Sequence, residues 1–144
     1  MVDFLVAFVV LIGLMLWYGI APAPSTLLLI PLTLLTAAAA MGVGMWLASL
    51  NVKYRDVAHA VPFLVQIWMY ATPVVYPTSL VPAKWRVVFA LNPLTGIIDG
   101  YRSAALGRAL DWRTLGVSTV VVLVLLYLGT RSFNRMEREF ADIV

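Results

Sequence analysis

From Leu50 to Pro77 the chain reads LNVKYRDVAHAVPFLVQIWMYATPVVYP. A short charged cluster (Lys53, Arg55, Asp56) closes one long apolar segment and opens a second, which carries Pro62, Gln66, Trp68, Tyr70, Pro73 and Pro77. No other stretch constrains the fold as strongly. The core helix of a soluble domain would not be punctuated this way. A membrane span beside a water-filled or sugar-filled path tolerates it, because broken or polar backbone at membrane depth survives only where protein or a cavity satisfies it. Composition agrees: 62% of residues are hydrophobic and 12% charged, against about 25% charged in soluble domains. The chain reads as an integral membrane protein.

Several function classes fall away. There is no cysteine, hence no disulfide framework, no thiolate metal site and no indication of redox compartment. The single histidine, His59, cannot form a metal cluster alone. The formal charge of +3 is too small and scattered to suggest nucleic acid as a partner. Nucleophilic catalysis needs an activated Ser, Cys or Thr beside a base, and His59 sits at a span end with no acid pattern around it. The H-E-x-x-H spacing of intramembrane metal hydrolysis is absent. The reading therefore assigns no catalytic residue, no metal ligand and no cofactor.

Four apolar segments predict four transmembrane helices. The first, Phe4 to Ile20, is just long enough to cross and ends on the boundary aromatics Trp17 and Tyr18. With an acid and no base before it, it reads as a retained span rather than a signal peptide. Ala21 to Ser25 (APAPS) predicts a tight turn in which Ser25 caps the next helix. The second span, 26–50, has a middle of small residues; Ala40, Gly42, Gly44 and Ala48 permit close helix–helix approach. The third runs over 58–76. The fourth, 114–129, is dominated by Val and Leu, and the charged tail 131–144 is expected to emerge as a short helix. An even number of spans puts both termini on one side.

Between the third and fourth spans, two short apolar segments flank Asn92-Pro93. Pro82 suits the first position of a helix PAKWRVVFAL, and 94–106 runs to Gly107, a plausible C-cap. Neither is long enough to span. The expectation over about 82–107 is a re-entrant or interfacial helical hairpin. Charge bias does not orient the chain: Lys53, Arg55, Arg131, Arg135 and Arg138 balance Lys84, Arg86, Arg102, Arg108 and Arg113.

Two constellations are candidates for function. Phe63, Gln66 and Tyr70 fall within one narrow helical sector. An aromatic–amide–aromatic stripe suits a sugar, whose rings offer C–H faces to stack and hydroxyls to hydrogen-bond. It suits a helix–helix interface equally well. Trp68 lies on another face and reads as lipid-facing or interfacial. Asp99 is the one acid deep in the apolar hairpin, which makes it a functional candidate; an Asp99–Arg102 pair at helical spacing is as good a reading. The polar Asn51–Asp56 turn and the tail either meet a soluble partner or are simply solvated loops with snorkelling bases.

Taken together, LNVKYRDV, PFLVQIWMYATPVVYP, VPAKWRVVFALNPLTGIIDGYRSAALG and the tail FNRMEREFADIV resemble the C-terminal part of ABC-2 type permeases, most closely those exporting lipid-linked polysaccharides such as O-antigen, teichoic acid and capsule. The resemblance covers essentially the whole chain. It implies a subunit of about six spans, with two copies pairing as a homodimer with two ATP-binding subunits. Phe4–Ile20 would correspond to the third span and Thr114–Gly129 to the sixth. The YRDV turn and C-terminus would be cytoplasmic, in the bacterial inner (plasma) membrane, with the hairpin at the outer face as a gate. Phe63, Gln66 and Tyr70 would then line the substrate path. Trp85, Phe89, Asp99, Tyr101 and Arg102 would form the outer gate, and Lys53, Tyr54, Arg55 and Asp56 the ATPase-side turn. The family's N-terminal amphipathic helix, first two spans and coupling helix have no counterpart, and the abrupt Met1-Val2-Asp3-Phe4 start is expected to mark a fragment; the alternative is a half-length subunit that needs a complement.

The sequence-level expectation is an all-α polytopic membrane protein, one transmembrane domain over 1–144. It would act as a permease, moving polysaccharide or its lipid-linked form with ATP hydrolysed on a separate subunit; membrane lipid is a further partner. Alternatives are an ABC-2 exporter of small lipophilic compounds and a non-transporting membrane scaffold.

Overall fold

The computed structural model describes residues 2–19, 24–54, 56–74, 76, 82–85, 89 and 91–141. Among them all regular structure is helical: α1 (Val2–Trp17), α2 (Leu29–Lys53), α3 (Val57–Ala71), α4 (Pro93–Leu106) and α5 (Trp112–Ala141), with 3-10 turns at Pro24–Leu28 and Ala83–Trp85. Two stretches, Pro24–Lys53 and Trp112–Glu137, are long and apolar enough to cross a membrane; Val6–Trp17 and Val57–Ala71 are shorter apolar helices.

Local sequence accounts for these elements. Pro31 sits in the first turn of α2, where its missing N–H would have had no helical partner. Thr33 and Thr36 return their hydroxyls to the carbonyls of Leu29 and Leu32 at 2.7 and 2.8 Å, so neither is left unpaired among apolar neighbours. Asn92 caps α4 by accepting from the N–H of Leu94 at 3.1 Å, and Pro93 occupies the favoured first position. Gly107 ends α4 at φ 64°, the left-handed conformation that the C-cap expectation required, and the next N–H, of Arg108, reaches Ser103 O at 2.9 Å.

The frame is the pair α2 and α5. Leu32 and Leu115 share one apolar cluster, Ala39 and Val122 a second, and Ser49 and Ser132 meet hydroxyl to hydroxyl at 2.7 Å. These pairs advance together along both helices, so α2 and α5 run in the same direction. Between the second cluster and the serines the backbones come together: a Cβ on Gly42 would lie 2.8 Å from Leu126 N, and one on Gly129 would collide with the Gly42 carbonyl. Small residues substitute here for the hydrophobic drive that lipid does not supply. Of the four small residues picked out from sequence, only Gly42 lies in this seam; Ala40, Gly44 and Ala48 are exposed on the other side of the helix.

Helix α4 lies against the N-terminal halves of both and runs the opposite way. Its Ala104 packs with Leu29 and Leu32, Tyr101 reaches Thr33, and Ile97 packs with Ala39 and Val122. At Gly96 the approach to α5 is closest: its N–H donates to Ser118 Oγ at 3.1 Å, and an added Cβ would lie 2.6 Å from the Thr114 carbonyl. With 14 residues, α4 covers about 21 Å, roughly half the length of the helices it packs on.

Two expectations are corrected. Ser25 does not cap α2; its hydroxyl donates to Ala104 O at 3.0 Å, tying the end of α4 to the 3-10 turn, and α2 begins after Leu28 with no side-chain cap. The tail is not a separate short helix, because α5 continues through Gly129 to Ala141. Gly129 is there for close packing rather than as a stop, and the Arg- and Glu-containing run after it has good helix propensity.

Gly42→Ala is expected to cost about 1–3 kcal/mol by forcing the α2 and α5 backbones apart, whereas Gly44→Ala, with nothing within 4 Å of its new Cβ, leaves the thermal midpoint in detergent unchanged or raised. In the cysteine-free background, Ser49→Cys with Ser132→Cys is expected to cross-link under mild oxidation; failure to do so would contradict the parallel register.

Candidate functional site

The α3–α4 junction is built from the side chains that interrupt the third apolar segment. Pro62 inside α3 removes the hydrogen bond that the Ala58 carbonyl would otherwise receive. The helix ends at Ala71, where Thr72 returns both its N–H and its hydroxyl to Trp68 O, at 2.9 and 2.7 Å. From here a polar circuit crosses to α4. Trp68 Nε1 donates to Asn92 Oδ1 at 3.1 Å, and Asn92 Nδ2 donates to Thr72 Oγ1 at 2.8 Å. The same Oδ1 accepts from Leu94 N. One amide thus caps α4 and clamps the end of α3.

The depth of this circuit follows from its neighbours. Leu94 packs against the cluster of Ala39, Ile97 and Val122. Ala39 and Val122 each lie about 15 Å along their helices from the starts of α2 and α5, half of a hydrocarbon core of about 30 Å. The half-buried Trp68 and Asn92 and the buried Thr72 satisfy one another, which is what polar groups need where water is scarce. Trp68, read from sequence as lipid-facing or interfacial, turns its ring N–H to α4, because Asn92 offers it a partner and lipid does not.

Higher on α4, Arg102 Nη2 donates to the carbonyls of Pro73 and Val74 at 2.8 and 2.6 Å, carbonyls with no helical partner beyond the end of α3. Arg102 also stands 3.5 Å from Asp99, the helical pair that the spacing allowed. Tyr101 lies across the helix from them and is committed to α2: its hydroxyl donates to Thr33 Oγ1 at 3.1 Å and lies 3.3 Å from Thr36 Oγ1. Trp85 is exposed in its 3-10 turn, and the half-buried Phe89 meets Tyr76 edge to face at 6.5 Å. Of the five residues read as an outer gate, the structure brings Asp99 and Arg102 together and sets Tyr101 on a different face. Residues 86–88 and 90, four of the ten in the first hairpin helix, lie outside the described residues.

Phe63, Gln66 and Tyr70 are all exposed on α3, the two rings at 65% each, so nothing described covers the stripe. At the other end of α2, Lys53 Nζ stands 5.9 Å from the centroid of the exposed Tyr54 ring. Asp56 is exposed and starts α3 through its backbone carbonyl, which accepts from His59 N and Ala60 N; Arg55 lies outside the described residues. The sequence reading missed the Trp68–Asn92–Thr72 circuit. Its signal was present in the Asn-Pro pair, an N-cap followed by a first-turn proline, and in Trp68 and Thr72, four positions apart at the end of α3.

Asp111 was also missed. It caps α5, accepting from the N–H groups of Arg113 and Thr114 and from the Thr114 hydroxyl. The Thr114 hydroxyl, followed by these backbone donors and the nearby Arg113 charge, holds its carboxyl below the usual carboxylate range.

Residues 1–106 match the family model described as ABC-2 type transporter. The chain is 25% identical over 143 residues to the O-antigen export system permease protein RfbA of Klebsiella pneumoniae, covering 99% of this chain and 55% of that protein. It is 33% identical over 101 residues to the protein of the same name from Myxococcus xanthus, covering 68% of this chain and 39% of that one. The chain spans about half the length of the Klebsiella relatives it matches. No solved structure matches it.

Asn92→Leu should leave the Trp68 N–H without its acceptor and α4 without its cap, costing about 2–4 kcal/mol; hydrogen exchange should then rise at Thr72 and Leu94 and not along the α2–α5 seam. For Asp111 the lowered carboxyl means that its stabilisation is full above the ordinary carboxylate range and is lost as pH falls through the lowered value. Asp111→Ala should therefore lose about 1 kcal/mol at neutral pH and show a flatter acid-side decline in thermal midpoint than the wild type.

Proposed function

The chain belongs to the ABC-2 type transporter family, and from that premise we propose that it is the permease part of an ATP-driven exporter carrying polysaccharide, free or lipid-linked, outward across a bacterial inner membrane. The observation that carries the substrate class is the alignment of O-antigen export permeases with 99% of this chain. ATP is hydrolysed on a separate ATP-binding subunit, and the permease itself performs no covalent chemistry.

The topology proposed is four spans, α1, α2, α3 and α5, with about 82–107 as a re-entrant outer hairpin. The parallel course of α2 and α5 supports it: two spans running the same way oblige the chain between them to return across the membrane. α3 makes that return with the loop that follows it, and α4, reaching only half depth, adds no net crossing. Both Lys53 and the C-terminus then lie on one side, proposed as cytoplasmic, where Lys53, Tyr54, Arg55 and Asp56 meet the ATPase. The exposed stripe of Phe63, Gln66 and Tyr70 faces the substrate path across a second copy. A saccharide stacks on the two rings and hydrogen-bonds the amide between them. Trp85, Phe89, Asp99, Tyr101 and Arg102 form the outer gate. In it Arg102 and Asp99 hold the end of α3, and Tyr101 anchors the hairpin to α2.

The test is ATP-dependent transfer of radiolabelled lipid-linked glycan into inverted vesicles holding the full-length permease and its ATP-binding subunit. Tyr70→Ala and Gln66→Ala should each lower transfer about tenfold while the vesicles retain normal amounts of folded permease, the loss of one stacking or hydrogen-bonding contact being worth about 1–2 kcal/mol. Unchanged glycan transfer, with loss of efflux for a lipophilic dye, would replace polysaccharide by a small lipophilic substrate. A cysteine at Ala109 should label from outside intact cells and one at Asn134 only after permeabilisation; the reverse pattern would overturn the orientation.

A further inference from the structure

An open groove of about 270 Å³ lies between the first turns of α2 and α5. Leu28, Leu32, Leu35, Leu110 and Trp112 line it, with Thr119 at its deeper end. The Thr119 hydroxyl is turned back on Leu115 O at 2.8 Å, so the wall it presents is largely apolar. The groove starts at Leu28 and Leu110, close to the starts of the two helices long and apolar enough to cross a membrane, Pro24–Lys53 and Trp112–Glu137, which sets it near a membrane boundary if both span. Trp112 stands 69% exposed there, in the position where an indole bridges hydrocarbon and headgroups.

The same end carries two exposed arginines. Arg108 follows the C-cap of α4, whose last turn is fastened by Ser25 to the turn before Leu28. Arg113 is the second residue of α5, immediately after Trp112. Neither guanidinium has a hydrogen bond or ion pair within 4 Å among the described residues; the bonds recorded for both residues are made by the main chain. Asp111, the acid between them, accepts from Arg113 N, Thr114 N and the Thr114 hydroxyl and is drawn electrostatically to Arg113, which leaves a net charge of +1 on the three side chains.

We propose that this groove is a binding site for an anionic phospholipid of that leaflet, one acyl chain lying between α2 and α5 and the phosphate held by Arg108 and Arg113. An apolar trough that opens onto two exposed arginines, with no side-chain hydrogen bond among the described residues and with Asp111 offsetting part of the charge of Arg113, complements the two halves of such a lipid. A neutral chain would not use the arginines, and a soluble anion would not use the trough. Basic groups near an anionic surface contribute about a fivefold gain in binding each. Occupancy would brace the N-terminal ends of α2 and α5, the ends farthest from their glycine contact.

The experiment places the full-length protein in phosphatidylcholine nanodiscs containing a rising fraction of phosphatidylglycerol brominated on its acyl chains. Quenching of Trp112 is read as the difference between the wild type and Trp112→Phe. The expected result is saturable quenching at a lower fraction of brominated phosphatidylglycerol than of brominated phosphatidylcholine. Arg108→Gln with Arg113→Gln should shift the half-point about twenty-five-fold, and Thr119→Phe, which fills the trough, should lower the plateau. Equal quenching by both lipids, unchanged by the arginine substitutions, would overturn the proposal in favour of ordinary boundary lipid. Displacement of the lipid by inorganic phosphate would overturn it too, leaving an anion site with no use for the groove. Normal glycan transfer by the double arginine variant would separate this site from the transport reading, which stands or falls independently.

Discussion

Backbone contact between α2 and α5 at Gly42 and Gly129 is possible only because neither residue carries a Cβ. Within a bilayer that contact matters more than it would in water, because lipid tails are as apolar as leucine and burying leucine against leucine gains little. Close approach instead lets many weak contacts add along the seam, from Leu32 and Leu115 to Ser49 and Ser132. The remaining elements take their positions from this pair. α4 lies against both N-terminal halves, and α3 is fastened in turn to α4.

The fastening is polar, and that follows from the same solvent. α3 has no buried residue of its own among those described. What holds its end is a set of hydrogen bonds, from Asn92 to Trp68 and Thr72 and from Arg102 to Pro73 and Val74. In hydrocarbon these groups have nowhere else to turn, so bonds of modest worth in water become positional constraints. α3 is therefore defined at its end and open along its length, which leaves the stripe of Phe63, Gln66 and Tyr70 uncovered.

Much of this was legible in the sequence, for identifiable reasons. The two long apolar runs, Pro24–Lys53 and Trp112–Glu137, Gly42 within the small-residue middle of α2 and the Gly107 stop are written in local composition. Helical spacing likewise gave the Asp99–Arg102 pair. Less legible were the partners of single polar side chains. Ser25 has the credentials of an N-cap, yet its hydroxyl serves Ala104, 79 positions away. Trp68 has those of a lipid-facing or interfacial ring, and that Asn92 claims its N–H is not readable from its neighbours in sequence. The fourth apolar segment is bounded at Gly129 in the sequence, yet the helix continues past it, and that glycine serves the contact with Gly42 across the seam. In each case the deciding atom came from a distant part of the chain, which no window of local sequence contains.

Helices that run the same way also align their peptide dipoles. α2 and α5 place like partial charges side by side at each end, an arrangement that repels wherever the surroundings screen poorly. The fold offsets this at both ends. α4 runs opposite to both along their N-terminal halves, so its negative end lies beside their positive ends. Asp111 adds a full negative charge at the start of α5, and Lys53 a positive one at the end of α2. The half-length of α4 limits that cancellation to the N-terminal halves of α2 and α5. Its own positive end stops near the midpoints of α2 and α5, where the Asn92 amide oxygen meets it, and beyond that level the two long dipoles run without an opposing helix.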